Sequence, residues 1–233
     1  MPLCLRGERS SGGGNVLKVG LTGGIASGKS VVGEMFVALG AHLVQADHIA
    51  HELMLPGQPV YNEVVRHFGR EILNPDGSLN RAKLAEAAFS SPASSAEGTP
   101  ASAPSRIEDL NRIVHPAVIR SQEGWMEEMG RQDPHAVAIV EAALILEAGM
   151  AKRFDRLIVV TCSQGQRVTR FANRQKLDLE AARKEVARRM AAQLPEAEKI
   201  KASDFVVDNS GSLDHTRKQV VEIWGKLRAQ AAK

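Results

Sequence analysis

Eight consecutive residues, Gly23-Gly24-Ile25-Ala26-Ser27-Gly28-Lys29-Ser30, carry the strongest chemical signal in the chain. They satisfy the pattern G-x-x-x-x-G-K-[ST] of a phosphate-binding P-loop. The glycines let the backbone curl so that successive N–H groups point inward at a phosphate, and the positive end of a helix beginning near Ser30 faces the same anion. A lysine at position 29 reaches the β- and γ-phosphates of a nucleoside triphosphate, and the Ser30 hydroxyl is suited to Mg²⁺. The expected nucleotide contacts are therefore Gly23, Gly24, Ala26, Ser27, Gly28, Lys29, Ser30 and Val31, with a nucleoside triphosphate and Mg²⁺ implied.

Such a loop works only between a buried strand and a helix, and the flanking residues provide both. Val16–Leu21 (VLKVGL) is short and rich in β-branched and apolar residues. Ser30–Leu39 has apolar residues at Val31, Val32, Met35, Phe36 and Leu39, followed by Gly40, which is helical spacing with a terminating glycine. A short apolar stretch, Ala41–Val44, leads to Gln45-Ala46-Asp47 and places Asp47 just past a second strand, at the edge where open parallel sheets bind ligands. Asp47 is also suited to cap a helix starting at His48. Ala136–Val140 and Arg156–Thr161 read as further buried strands, and Phe205–Val207 as a last short one. Glu141 and Glu147 follow the third strand, where a carboxylate can order Mg²⁺-bound water or satisfy a helix dipole; the sequence leaves both roles open for each.

From His48 to Phe89 the pattern is mostly helical, interrupted at Leu55–Pro59 and by the turn Asn74-Pro75-Asp76-Gly77. Ile107–Met129 is helical with an expected break at His115-Pro116, because a residue before proline is pushed out of the α region. Gln166–Gln193 reads as one long arginine-rich helical stretch, and Ser212 caps a closing helix. The first 15 residues, with their Gly/Ser tract, are expected to be a flexible leader, and Ser90–Ser105, dense in Ser, Ala and Pro, a disordered excursion.

Composition narrows the class. A chain of 233 residues with 43% hydrophobic content can bury one substantial core. Its net charge of +3 suits an anionic ligand, and no basic run argues for nucleic acid. Cys4 and Cys162 have no C-x-x-C partner, which points to a reducing cytoplasm. No apolar stretch is long enough for a membrane helix. Oligomeric state is not readable.

Four segments together resemble the dephospho-CoA kinase family: LTGGIASGKS (Leu21–Ser30), QADHIAHELMLPG (Gln45–Gly57), LNRIVHP (Leu110–Pro116) and SDFVVDNSG (Ser203–Gly211), in the same order. The resemblance implies transfer of the ATP γ-phosphate to the ribose 3′-hydroxyl of dephospho-CoA, the last step of coenzyme A biosynthesis. It implies Asp47 as the acceptor-activating aspartate, Arg170 and Arg174 as lid arginines over the transferred phosphate, Asn209 beside the adenine, and His115 at the acceptor. Arg170 and Arg174 stand four apart and share a helix face, although Arg167, Arg183, Arg188 and Arg189 compete for the assignment.

The implied fold is an α/β, P-loop NTPase-type three-layer sandwich with a parallel sheet of about five strands. Residues 16–233 would form a single kinase domain, with a helical acceptor-binding region at about 49–129 and a lid at about 167–193. Ala26 departs from a frequent glycine and is tolerated if its φ is negative; Gln45 and Glu141–Leu144 also depart from the family pattern. Rival readings are another small P-loop kinase, acting on a nucleoside, a nucleoside monophosphate or shikimate, and a non-catalytic ATP-binding regulatory module. A switch GTPase is disfavoured, since Asp208-Asn209-Ser210-Gly211 is its only D-x-x-G and no base-reading motif follows.

Overall fold

The computed structural model describes residues 16–89 and 106–233. The sequence expectations for residues 1–15 and 90–105 lie outside this range. The described chain forms two compact units, one containing the residues up to Leu43 together with Met126–Lys233, the other Val44–Trp125.

The first unit is built on a five-stranded sheet of order β2-β3-β1-β4-β5, in which β1 (Leu17–Gly23) lies centrally. It pairs in parallel with β3 (Val137–Glu141) and β4 (Arg156–Thr161), and β4 pairs in parallel with β5 (Phe205–Asp208). The remaining strand, β2 (His42–Gln45), lies at the sheet edge beside β3. Every residue of β3 is buried, as is nearly all of β1, because helices cover both faces of a parallel sheet and leave no solvent face to alternate toward.

Helix α1 (Lys29–Ala38) packs Val32 and Phe36 against Leu21, Val19 and Ile139. The last helix of the chain, α9 (Leu213–Ala231), adds Val220, Ile223 and Leu227 to that core. Its N-cap is Ser212, whose hydroxyl accepts from the His215 N–H at 3.2 Å, as the sequence leads one to expect. Parallel pairing brings the carboxyl ends of β1, β3, β4 and β5 to one edge. Gly23, Glu141, Thr161 and Asp208 emerge there, and the chemistry-bearing loops begin beyond them.

The second unit holds α2 (Ala46–Leu53), α3 (Pro59–Phe68), α4 (Arg81–Phe89) and most of α5 (Arg106–Gln132). Its own core joins Ile49, Val60, Val64, Phe68, Leu84, Val114 and Val118. The Asn74–Gly77 turn is present, closed by an antiparallel bridge between Leu73 and Leu79. The expected break at His115-Pro116 is absent, and α5 runs straight through Pro116. Interior proline costs roughly 3 kcal/mol. Here Val114, Ala117 and Val118 are buried on the opposite face and hold both sides in helical register, while Arg112, whose carbonyl loses its partner N–H, is exposed to water.

Back in the first unit, the arginine-rich stretch is not one helix but two, α6 (Gln164–Gln175) and α7 (Leu179–Ala191), followed by α8 (Glu196–Ala202). Lys176 adopts a left-handed conformation at φ 55° and ends α6; the Asp178 carboxylate then accepts from the Ala181 N–H at 2.8 Å and starts α7. Val168, Phe171, Ala182 and Val186 form the seam between the two, with Ile25 against it.

Candidate functional site

The loop after β1 is shaped by close approaches that only glycine allows. A Cβ on Gly23 would strike the Val160 carbonyl, and one on Gly28, at φ +92°, would strike the Asn209 side-chain amide. Ala26 sits at φ +54°, so the condition under which an alanine is unstrained there is not met. Its carbonyl accepts a long contact of 3.7 Å from Cys162 Sγ.

Three side chains from outside the loop hold its carbonyls. Arg167 donates from Nη1 to the Ile25 carbonyl at 3.0 Å. Arg170 donates to the Ser27 carbonyl at 3.2 Å and to the Asn209 carbonyl at 3.0 Å. The Asn209 Nδ2 donates to the Ser27 carbonyl at 2.9 Å, while its Oδ1 accepts from buried Thr216 Oγ1 at 3.0 Å. In a trans peptide the carbonyl and the following N–H point in opposite directions. Fixing the carbonyls of Ile25 and Ser27 on these groups therefore turns the N–H groups of Ala26 and Gly28 the other way, the polarity a phosphate cradle needs.

Lys29 opens α1 and donates from Nζ to the carbonyls of Gly23 and Gly24 at 3.1 and 3.4 Å, so its ammonium lies over the loop. Ser30 is exposed, and its hydroxyl donates to Glu141 Oε1 at 2.8 Å. Parallel pairing explains this: Leu21 is in register with Glu141, so the end of β3 stands beside the root of the loop.

The two glutamates that the sequence left equivalent are thus separated by the fold. Glu141 joins Ser30, whereas Glu147 pairs with buried Lys199 at 2.7 Å and accepts from the Leu194 N–H at 3.1 Å, a structural role. The Ser30 hydroxyl and Glu141 carboxylate are hard oxygen donors of the kind Mg²⁺ takes, and Mg²⁺ commonly keeps waters and substrate phosphates in its remaining positions. The pair fits that ion. Among the described residues no group of three or more His, Cys, Asp and Glu side chains offers a closed metal cage.

Of the two arginines expected to act together, only Arg170 reaches the loop. Arg174 is exposed and lies over the Phe171 ring at 5.9 Å. Arg167, one of several competing arginines in the sequence, is the one the fold buries against the loop. Its sequence signal is its place four residues before Phe171, on the apolar face of α6. Nothing in the chain order pointed to Thr216.

Burial pushes the Cys162 thiol above its ordinary value, against the lowering influence of Arg167 and Arg170. Hydrogen bonds from Ser210 hold Asp208 below the usual carboxylate range. Val31, 40% exposed, lines an apolar groove with Met35, Leu213, Val220 and Val221.

In the second unit Asp47 is exposed in the first turn of α2, where Gln45 rather than Asp47 occupies the cap position, so a capping role does not account for it. His115 is exposed on α5.

The family model for dephospho-CoA kinase matches residues 17–215. The chain belongs to the dephospho-CoA kinase family. It is 39% identical over 212 residues to the dephospho-CoA kinase of Syntrophotalea carbinolica, covering 91% of this chain and 92% of that one. To the dephospho-CoA kinase of Corynebacterium jeikeium it is 38% identical, over 91% of this chain and 100% of the other. Among solved structures it is similar to TT1252 from Thermus thermophilus, with a TM-score of 0.71, 30% identity and coverage of 90% and 96%. It shares a fold with dephospho-CoA kinase from Campylobacter jejuni, at a TM-score of 0.62 and 22% identity over 91% and 97% of the two chains. As a family member it is a kinase, a transferase acting on a hydroxyl group, on a three-layer α/β P-loop fold.

Proposed function

We propose that this protein transfers the γ-phosphate of ATP to the ribose 3′-hydroxyl of dephospho-CoA, in the cytoplasm and with Mg²⁺. The observation that carries the reading is the loop Gly23–Ser30, with its Ile25 and Ser27 carbonyls tied outward and Ser30 against Glu141, in a chain of the dephospho-CoA kinase family.

The backbone N–H groups of the loop and the start of α1 bind the β-phosphate. Lys29 exchanges the Gly23 and Gly24 carbonyls for the β- and γ-phosphates, a trade of neutral acceptors for charged ones that favours the bound state. Ser30 and Glu141 would hold Mg²⁺, which when bound neutralises charge on the phosphates. The groove lined by Val31 and Leu213 offers an apolar surface for the adenine, and Asn209, its side chain taken up by Ser27 and Thr216, would act there through the loop it holds. Asp47 accepts the proton of the acceptor hydroxyl, and its exposed carboxylate is available for that work. To stabilise charge on the transferred phosphoryl group, Arg170 exchanges the outward-turned Ser27 and Asn209 carbonyls for phosphate oxygens; Arg174 and His115 are assigned to closure of the site and to the acceptor.

The test is ADP release from MgATP with dephospho-CoA, adenosine, AMP, cytidine, UMP and shikimate in parallel. Turnover is expected with dephospho-CoA alone. In Asp47→Asn, kcat should fall by about 10² to 10⁴, the usual range for losing a general base, while ATP binding is retained. Turnover with a different acceptor would replace the acceptor assignment, and undiminished turnover in the variant would remove Asp47 from catalysis.

A further inference from the structure

Arg167 is an unusual side chain for its position. It is only 2% exposed, yet the catalytic roles assigned above do not use it. A guanidinium cannot be deprotonated in a protein, so a buried one keeps its charge and must be paired. Its carboxylate partner is Glu196 in the first turn of α8, at 2.6 Å, and the same Nη2 donates to the Cys162 carbonyl at 3.3 Å. Nη1 donates to the Ile25 carbonyl. The guanidinium also stands where a side chain on Gly24 would have to go. One planar group thus joins the middle of the phosphate loop, the end of β4 and the segment that follows α7.

The Ile25 carbonyl belongs to the peptide whose N–H is that of Ala26, a residue at φ +54° that an alanine does not adopt unaided. Peptide planarity makes Arg167 the group that orients the Ala26 N–H. Glu196 in turn fixes the guanidinium, since removing it leaves a buried charge with carbonyls alone. The α7–α8 connection is anchored independently: the Leu194 N–H donates to Glu147, and Lys199 pairs with the same carboxylate.

We propose that the Arg167–Glu196 pair is a positioning device for ATP, setting the Ile25–Ala26 peptide in its phosphate-binding orientation and tying that orientation to the α7–α8 junction. The proposal rests on the reading of Gly23–Ser30 as the ATP site, not on the identity of the acceptor. Because the loop contacts phosphates in the ground state and the transition state alike, losing its preset shape weakens binding of both and raises KM for ATP more than it lowers kcat.

The experiment compares wild type with Glu196→Gln, Arg167→Lys, Arg167→Met and the double variant Arg167→Met/Glu196→Gln, using Glu185→Gln on the exposed face of α7 as a control. Kd for the Mg²⁺ complex of a non-hydrolysable ATP analogue is measured by calorimetry, with KM for ATP and kcat measured alongside, all well below each variant's melting temperature. Glu196→Gln keeps the shape of the side chain and is the variant expected to fold in any case. We expect Kd and KM for ATP to rise about tenfold in Glu196→Gln and in Arg167→Met, with kcat within about threefold. Arg167→Lys should fall between, because one ammonium cannot serve Ile25 and Glu196 with the fork geometry of arginine. The double variant should be no worse than Arg167→Met, since both changes break one bridge. Lower melting temperatures with unchanged Kd and KM would overturn the proposal and leave the pair a purely structural contact. The binding measurement needs no acceptor, so an enzyme that binds ATP but ignores dephospho-CoA would refute the acceptor assignment while the Kd comparison still decides the role of the bridge.

Discussion

Asn209 offers the sharpest quantitative check on how the loop is held. Its side chain is 2% exposed and makes two hydrogen bonds, one to the Ser27 carbonyl at 2.9 Å and one from Thr216 Oγ1 at 3.0 Å. Asn209→Ala removes both. Each is worth about 1 kcal/mol net, and the groups left behind add a desolvation penalty. That penalty is small here because Ser27 keeps Arg170 and Thr216 keeps the Ser212 carbonyl at 3.3 Å. The expected loss is about 2–3 kcal/mol, which for a chain of this size lowers the melting temperature by about 4–12 °C.

Function should suffer separately. With one tie left on Ser27, the Ser27–Gly28 peptide is less constrained and KM for ATP should rise roughly tenfold, equivalent to about 1.4 kcal/mol of lost binding. Thr216→Val removes only the outer bond and should cost about 1 kcal/mol with little change in KM. Asn209→Asp keeps the acceptor for Thr216 but sets a buried carboxylate against the Ser27 carbonyl, so both stability and KM should suffer. Thermal unfolding by circular dichroism and a coupled ADP-release assay measure both effects. An Asn209→Ala protein that melts within about 1 °C of wild type and keeps its KM for ATP within about twofold would refute the bracing argument.

Glu141→Gln retains a hydrogen-bond acceptor for Ser30 but loses the charge; the Mg²⁺ concentration for half-maximal activity should rise by about an order of magnitude, and an unchanged Mg²⁺ titration would remove Glu141 from the metal site. Ala26→Gly relieves a left-handed alanine, worth about 1–2 kcal/mol, against a chain-entropy cost of about 0.5–1 kcal/mol, so the melting temperature should rise by a few degrees; a fall would show that the conformation is not strained. Cys162 gives a signed pH effect. Burial raises its thiol above the ordinary thiol value, so the unfolded chain ionises first: the stabilisation is complete below the ordinary thiol pKa and is lost as pH rises through the higher folded one. Cys162→Ala should flatten that part of the stability curve, and an unfolding free energy that falls equally with alkaline pH in both proteins would refute it.

Much of the loop was legible because its chemistry is local. Glycines at close approaches, a lysine and a hydroxyl at fixed spacing, and a buried strand running into a helix all lie within a few residues of one another, and periodicity identifies the flanking elements. The strands were legible for the same reason: when both faces of a sheet are covered, continuous apolar runs mark it.

What tertiary structure decided involves groups far apart in the chain. The sequence offered Glu141 and Glu147 as equals; only the register of β1 with β3 puts Glu141 beside Ser30, while packing of α8 takes Glu147 to Lys199. Arg170 and Arg174 share a helix, yet burial differs by residue and leaves Arg174 outside. Pro116 sits inside α5 because buried neighbours outweigh a local preference. Arg167 is the clearest case. An arginine in an arginine-rich helix reads as solvated surface until the fold places Ile25, Cys162 and Glu196 around it, since a charge acquires its meaning from partners that local sequence does not name.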